Sequence, residues 1–518
     1  MTTRERALEA FNTALAASED LPQLDELRTL FRDARAHLDE PMRVAIIGHI
    51  KAGKSTLVNA LLGEQLAPVG PEELTFNVNL IRHGSPGVVV HFRDGRPRQF
   101  RAREDLEGLV TRRGDSWAPI DHVEVHDPHE MLRTFELVDT PGLKSQLGAD
   151  SLNTLRFLGV TPEEVESATR RASADADAVV CLFTRSIAQG DQSVVAQFQG
   201  DLLGTATPIN AIGLLTKCDA YWNPREPEQD PLDEGRRVAE SIADDPATSR
   251  VFYAVLPAAG QVGFGARSLS PEDIEALDAL AGVSPDVLAK RLRNATSFVD
   301  REDLPVPSDD RGRLVESRLG VFGVWVATQI LRDRGSETEL RQQLWQRSGM
   351  QAVEELLRSH FGRRALLIKA QTSLRRSLDA SFNTRERLTG AARAGASAAG
   401  GALERWETSE SALTELELLR RYYRDPDALG LRNDEQRELL RVTGESGSHL
   451  AFRLGYAETT APRKLSSAAR EGIEHWRARL DSFGADDATV STARAMVRAY
   501  ERLLHHAEAA RNHLELEA

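Results

Sequence analysis

Between Val44 and Leu62 the chain reads VAIIGHIKAGKSTLVNALL, and this stretch leaves it few ways to fold. Val44 to Ile47 is a short apolar run with the β-branching of a buried strand. Gly48-x-x-x-x-Gly53-Lys54-Ser55, the Walker A pattern, follows at once. Leu57, Ala60, Leu61 and Leu62 then recur at helical spacing. Strand, glycine-rich loop and helix, in that order, turn the pattern into a mechanism. The backbone of Gly48, His49, Ile50, Lys51, Ala52, Gly53, Lys54, Ser55 and Thr56 is expected to wrap a nucleotide's phosphates. Lys54 would reach the β- and γ-phosphates, and the Ser55 hydroxyl would bind Mg²⁺. The helix adds its positive dipole end to the same anion. A glycine-rich turn without a ligand is the competing reading, and the flanking strand and helix argue against it.

Four further motifs fall in a consistent order along the chain. Phe135-Glu-Leu-Val-Asp139-Thr-Pro-Gly142 is an apolar strand ending in Asp-x-x-Gly. Asp139 is expected to hold Mg²⁺ through water, and the Gly142 N–H to meet the γ-phosphate. Thr75 stands where a loop becomes the alternating run 76–81, the place of a switch threonine that would serve both the metal and catalysis. Thr216-Lys217-Cys218-Asp219 closes the apolar run 209–215. The Asp219 carboxylate would accept from guanine N1–H and the 2-amino group. Adenine has neither donor there and would leave a buried carboxylate unpaired. The Lys217 stem would lie along the base and ribose. Pro257-Ala258-Ala259-Gly260, after a strand expected at 251–256, would close over the base.

The runs 88–92, 98–101, 120–126 and 178–183 also read as strands, with Asp94-Gly95 as a hairpin turn. The run 192–203 reads as a helix, and 144–161, polar and glycine-containing, as a mobile switch. After about residue 307 the strand-like runs stop and helical periods take over. Ser336-x-x-Glu339 is a capping box. Helices are expected over 351–387, 403–423, 434–441, 462–480 and 487–512, while 389–401, rich in Ala and Gly, reads as a loop or a weak helix. Residues 3–40 read as helix broken near Leu21-Pro22. Leu24, Leu27, Phe31, Ala34 and Leu38 share the 3-4-3-4 spacing of Val490, Ala493, Val497, Tyr500 and Leu504. These two stripes are expected to pack on each other. The resulting expectation is an α/β P-loop GTPase domain over 41–306, with a mixed, mostly parallel sheet. An all-α bundle over 307–518 would take in the N-terminal helix, 1–40.

A length of 518 residues suits this count of domains. The net charge of −14 disfavours non-specific binding to nucleic acid or to an anionic membrane, short of a local basic patch, and no nucleic-acid partner is expected. Cys181 and Cys218 both sit in strand-like stretches, so no disulfide framework is expected and a reducing cytoplasm is. The first residues show no apolar signal region. The longest apolar stretch, 319–330, is shorter than the roughly 20 residues a spanning helix needs and reads as a core helix. Only seven lysines occur, arginine carrying the rest of the positive charge. Lys51, Lys54 and Lys217 therefore stand where a compact ammonium is wanted rather than a guanidinium fork.

With Gly48–Ser55, Thr75, Asp139–Gly142 and Thr216–Asp219 in this order, the chain resembles the dynamin superfamily. Arg347-Ser-Gly-Met and Phe361-Gly-Arg-Arg-Ala resemble bacterial dynamin-like proteins, above all the actinobacterial group that includes the mycobacterial isoniazid-inducible proteins. The resemblance spans nearly the whole chain. It implies GTP hydrolysis stimulated by pairing of GTPase domains, in a homodimer or with a paired dynamin-like chain. It also implies membrane remodelling, with peripheral contact at the inner face of the cell membrane. Two features depart from the family. Dynamins usually carry a polar pair, often Gln-Ser, at the positions of Ile50-Lys51, where the serine helps hold a monovalent cation. Lys51 would replace that ion or act as a built-in catalytic finger. No membrane-inserting segment is visible, although Arg358, Arg363, Arg364, Arg375, Arg376, Arg385 and Arg387 would give 358–387 a basic face. Leu143 stands where other GTPases carry a glutamine, so water positioning falls to Thr75, to backbone groups or to a dimer partner. A GTP-dependent interaction switch or scaffold is the competing function. An ATPase is disfavoured by Thr216–Asp219.

Overall fold

The computed structural model describes residues 2–49, 51–66, 78–92, 97–100, 120–140, 176–184, 206–445, 447, 449–480 and 487–517. They form two compact units, Pro41–Arg363 and the pair of segments Met1–Glu40 and Arg364–Ala518.

The first unit is built on nine strands: β1 (Met42–Gly48), β2 (Val78–His83), β3 (Gly87–Phe92), β4 (Pro97–Phe100), β5 (Ile120–Asp127), β6 (Phe135–Asp139), β7 (Ala178–Thr184), β8 (Ala211–Thr216) and β9 (Val255–Ala258). Their order is β4-β3-β5-β2-β6-β1-β7-β8-β9. From β6 to β9 all neighbours are parallel. Beyond β6 the sheet turns mixed: β2 runs antiparallel to β6 and parallel to β5, and β3 runs antiparallel to β5 and β4. β6, β7 and β8 are buried almost throughout, which is why they read as unbroken apolar runs. β2 and β3 alternate, as strands with one wetter face do. The last strand starts later than its apolar run. Val251 and Phe252 give their N–H groups to Thr248 O, closing the short helix Pro246–Ser249, and are not free to join the sheet.

The boundary expected at 306 falls at 363 instead. Leu314, Leu319, Phe322, Trp325, Leu340 and Leu344 belong to the same buried cluster as Ala45, Ile47, Phe183 and Trp222. Helical period marks an apolar face, and here that face covers the sheet. Gly320–Arg332, the apolar stretch noted above, is a mostly buried helix bent by 110° from the preceding segment Ser308–Arg318. No single helix among the described residues is long and apolar enough to cross a membrane. The expected helix over 351–387 is likewise interrupted, with a π turn at Leu357–Phe361 and a 3₁₀ turn at Gly362–Arg364 before Ala365–Arg387. Its basic face is therefore not continuous. Arg358 pairs with Glu354, and Arg364 with Glu445.

In the second unit the two terminal stripes do not choose each other. Asp25–His37 packs on Ala365–Arg387, and Asp487–Glu517 on Pro462–Leu480 and Ser411–Arg424. Leu24, Leu27, Phe31, Ala34 and Leu38 share their cluster with Ala370 and Leu374. Apart from the cap residue Thr389, residues 389–401 are helical, within Gly390–Ser409, and lie along Thr3–Ala17. Small side chains allow that approach, since a Cβ on Gly395 would stand 2.5 Å from Leu21 Cδ1 and 3.0 Å from Ala17 O. Lys369, a buried lysine, donates to Leu38 O at 2.9 Å and to Glu40 O, satisfying carbonyls just past the end of Asp25–His37.

Candidate nucleotide site

The parallel half of the sheet brings the motifs to one edge. Gly48, Asp139, Thr216 and Ala258 end β1, β6, β8 and β9, and the register sets Ile46 beside Asp139 and Thr216 beside Ala258. Crevices outside the carboxyl ends of parallel strands are where such sheets bind ligands. Gly48 is required by packing, because a Cβ there would sit 3.0 Å from Leu182 Cβ and 3.1 Å from Leu182 O. Lys51 and Gly53 hold the loop open in the left-handed region, at φ 62° and 93°. Helix Lys54–Leu62 begins directly afterwards, so its first N–H groups face the loop.

Lys54 is buried and donates from Nζ to Gly48 O and His49 O, both at 3.1 Å. The ammonium thus closes the loop on itself where phosphate oxygens would otherwise take it. Burial pulls its pKa down to about 8, against the pull of Asp139. Ser55 Oγ donates to Asp139 Oδ2 at 2.8 Å. Asp139 is buried, desolvation raises its pKa, and its Oδ1 has no hydrogen-bond partner among the described residues. A hydroxyl and an underused carboxylate side by side, with Lys54 near, fit the hard, oxygen-seeking Mg²⁺. Thr140, the next residue, anchors the end of β6 by donating from Oγ1 to Ile46 O at 2.7 Å.

Thr216 Oγ1 lies 2.7 Å from Ala52 O and 2.9 Å from Phe183 O. The base motif is thereby tied to the phosphate loop. Lys217 is exposed and left-handed, at φ 60°, and caps the 3₁₀ turn Cys218–Tyr221. That turn presents Asp219, whose carboxyl is raised by desolvation. A carboxylate largely withdrawn from solvent is suited to a ligand with paired N–H donors. Ala258 and Ala259 are buried, and Ala259 gives its N–H to Ser348 O at 2.8 Å, so that group is not offered to a base. Thr56 follows Ser55 in the helix, and a Cβ on Gly260 would come within 3.5 Å of its Cγ2. Ile50, Thr75 and Gly142 lie outside the described residues, as do 144–161 and 192–203.

One neighbour was not legible in the motifs. Gly320, at φ 67°, would place a Cβ 3.7 Å from Asp219 Oδ2. It sits 101 positions further along, in a segment read as bundle, and only its place ahead of an apolar run marks it. Cys181 and Cys218 are free, buried thiols.

Residues 44–218 match the model of the dynamin family. Over 521 aligned residues the chain is 30% identical to the isoniazid-induced protein IniC of Mycobacterium tuberculosis, covering 97% of this chain and 99% of that one. This chain belongs to the dynamin family. Other relatives match over shorter stretches. Dynamin-like protein A of Bacillus subtilis is 33% identical over 126 residues, 23% of this dynamin-family chain and 10% of its own length. GTPase Der of Azorhizobium caulinodans is 44% identical over 55 residues, 11% of this chain and 12% of that one.

Proposed function

We propose that this dynamin-family protein binds GTP with Mg²⁺ and hydrolyses it to GDP and phosphate, faster when two GTPase units meet across their nucleotide faces. The supporting observation is the convergence of three distant motifs: Ser55 on Asp139, and Thr216 on Ala52 of the phosphate loop. Lys54 leaves its loop carbonyls for the β- and γ-phosphates. Ser55 and Asp139 hold Mg²⁺, with Thr75 completing the set. When bound there, Mg²⁺ would supply charge neutralisation for the phosphates. Gly142 offers its N–H to the γ-phosphate. Asp219 selects guanine, and Lys217 covers the base. Leu143 cannot orient water by a polar group, so basal turnover is slow and a second unit supplies what is missing, from an identical chain or a paired dynamin-like one. The protein acts in the cytoplasm, in peripheral contact with the inner face of the cell membrane.

GTP turnover per chain, measured against protein concentration with and without anionic vesicles, tests this. It is expected to rise with concentration, and ATP in excess is expected not to compete. Turnover independent of concentration removes the dimer step, and equal competition by ATP removes the guanine assignment. Indifference to every vesicle favours a GTP-timed interaction switch.

A further inference from the structure

The other half of the sheet carries a second cluster of chemistry. His91 on β3 stands directly opposite His122 on β5. Alternation along β5 puts His122, Glu124 and His126 on one face. The His91 and His122 rings stack with centroids 4.2 Å apart and planes within 9°. His91 Nε2 is 3.5 Å from Glu124 Oε2, His122 Nε2 is 3.8 Å from Oε1, and His126 Nε2 is 3.7 Å from Oε2. Donor atoms of His91, His122 and Glu124 all lie within 4.8 Å of one another. His91 Nε2 is shielded from solvent and makes no hydrogen bond among the described residues.

A plain ion-pair network does not account for this set. Arg82 already donates to Glu124 Oε1 at 2.7 Å, so the carboxylate has its counter-charge without any imidazole. We propose that His91, His122 and Glu124 bind one divalent transition-metal ion, zinc fitting best. Imidazole nitrogens dominate the set, which favours zinc and its neighbours over magnesium or calcium. Ligand atoms around tetrahedral zinc stand about 3.4 Å apart, given bonds of about 2.1 Å. Separations of 3.5 and 3.8 Å from the two imidazoles to the carboxylate are near this value, and the stacked His91 and His122 rings turn out of parallel so that both nitrogens face one ion. Arg82 also reaches Glu136 Oε1 at 2.9 Å, and holds Glu124 as an outer partner holds a ligating carboxylate. Ligands from both strands let the ion fasten β3 to β5, with water free to complete its coordination. The site is separate from Ser55 and Asp139, because β5 and β6 are divided by β2.

The test uses the full chain, stripped by chelator and saturated with Mg²⁺ and GDP so that the nucleotide site is occupied. Zn²⁺ is titrated by calorimetry and Co²⁺ by visible absorption. One equivalent of each is expected, Co²⁺ with the intense visible band of tetrahedral coordination. The double variant His91→Ala/His122→Ala is expected to lose at least about 100-fold in affinity, and Arg82→Gln about 10- to 100-fold. GTP turnover should stay unchanged in the double variant. His91→Gln/His122→Asn, closer in size, checks that a loss is not misfolding, with melting temperature as the control. Failure of wild type to take one equivalent, or equal affinity in wild type and both double variants, overturns the proposal.

Discussion

Lys54 is the residue whose charge the protein can least take for granted. Burial brings its pKa to about 8 in the ligand-free chain, against about 10.4 for a free lysine. Above pH 8 the ammonium is therefore largely lost before nucleotide arrives. Phosphate oxygens favour the charged form, so binding restores the proton. The sign follows: proton uptake accompanies binding, and affinity falls as pH rises past 8, by up to about tenfold per unit. Calorimetry of Mg²⁺–GDP binding at pH 9, in two buffers of different ionisation enthalpy, should report net uptake. Zero uptake contradicts it. Lys51 is exposed and held at positive φ, a backbone state costing about 1–3 kcal/mol off glycine. If its ammonium takes the place of a monovalent cation, GTP turnover of the wild type is the same in Na⁺, K⁺ and choline. Lys51→Ala should then be slower and regain rate with K⁺. Equal cation dependence in both proteins counts against the replacement. Lys54, Ser55, Asp139 and Asp219 could be singled out in sequence because the proposed ligands, phosphate, Mg²⁺ and guanine, each dictate a residue type at short spacing. Gly320 was not, because only the folded chain carries it to Asp219.

Elements were legible where burial is one-sided or complete, and not where a choice of partner was needed. β1, β6, β7 and β8 read clearly because both faces are covered. The stripe on Asp25–His37 was correctly a buried face, but periodicity names no partner, and Ala365–Arg387 took it. Composition left 389–401 open between a loop and a weak helix. Glycine weakens an isolated helix, yet here its small size, with that of alanine, admits Thr3–Ala17. A paired substitution separates propensity from packing. Gly→Ala in a helix interior gains up to about 1 kcal/mol from propensity alone. At Gly401 the new methyl meets only the mobile end of Arg405, at 3.4 Å, so Gly401→Ala should be neutral or stabilising. At Gly395 it meets Leu21 Cδ1 at 2.5 Å and backbone at 3.0 Å. Overpacking of that kind costs about 1–3 kcal/mol, and Gly395→Ala should destabilise despite the same gain in propensity. Urea unfolding followed by far-ultraviolet circular dichroism measures both. Equal midpoints for the two variants would show that the close approach to Leu21 carries no weight.

At the scale of the molecule, the division of the chain decides which part can work alone. Sequence placed the end of the nucleotide unit at 306, where strands give out. The structure carries it to Arg363, because the helices after 306 supply the sheet's cover. Trp222, beyond the guanine motif, packs between Phe322 and Trp325, with ring centroids 6.2 and 6.0 Å away. Ser348 takes the Ala259 N–H, and Met350 fills the notch over Gly263, where a Cβ would be 2.4 Å from Met350 Cγ. Removing 307–363 would expose this face and strip Asp219 of the neighbouring Gly320. Losing even one large buried side chain costs about 3–5 kcal/mol, a large part of the roughly 5–15 kcal/mol that holds a domain together. A fragment of residues 41–363 is therefore expected to be soluble, to melt cooperatively and to bind GDP. A fragment of residues 41–306 is expected to aggregate or to lack a thermal transition. Guanine nucleotide binding by the shorter piece, at the affinity of the longer one, would return the boundary to 306 and make the helices after it a separate structure.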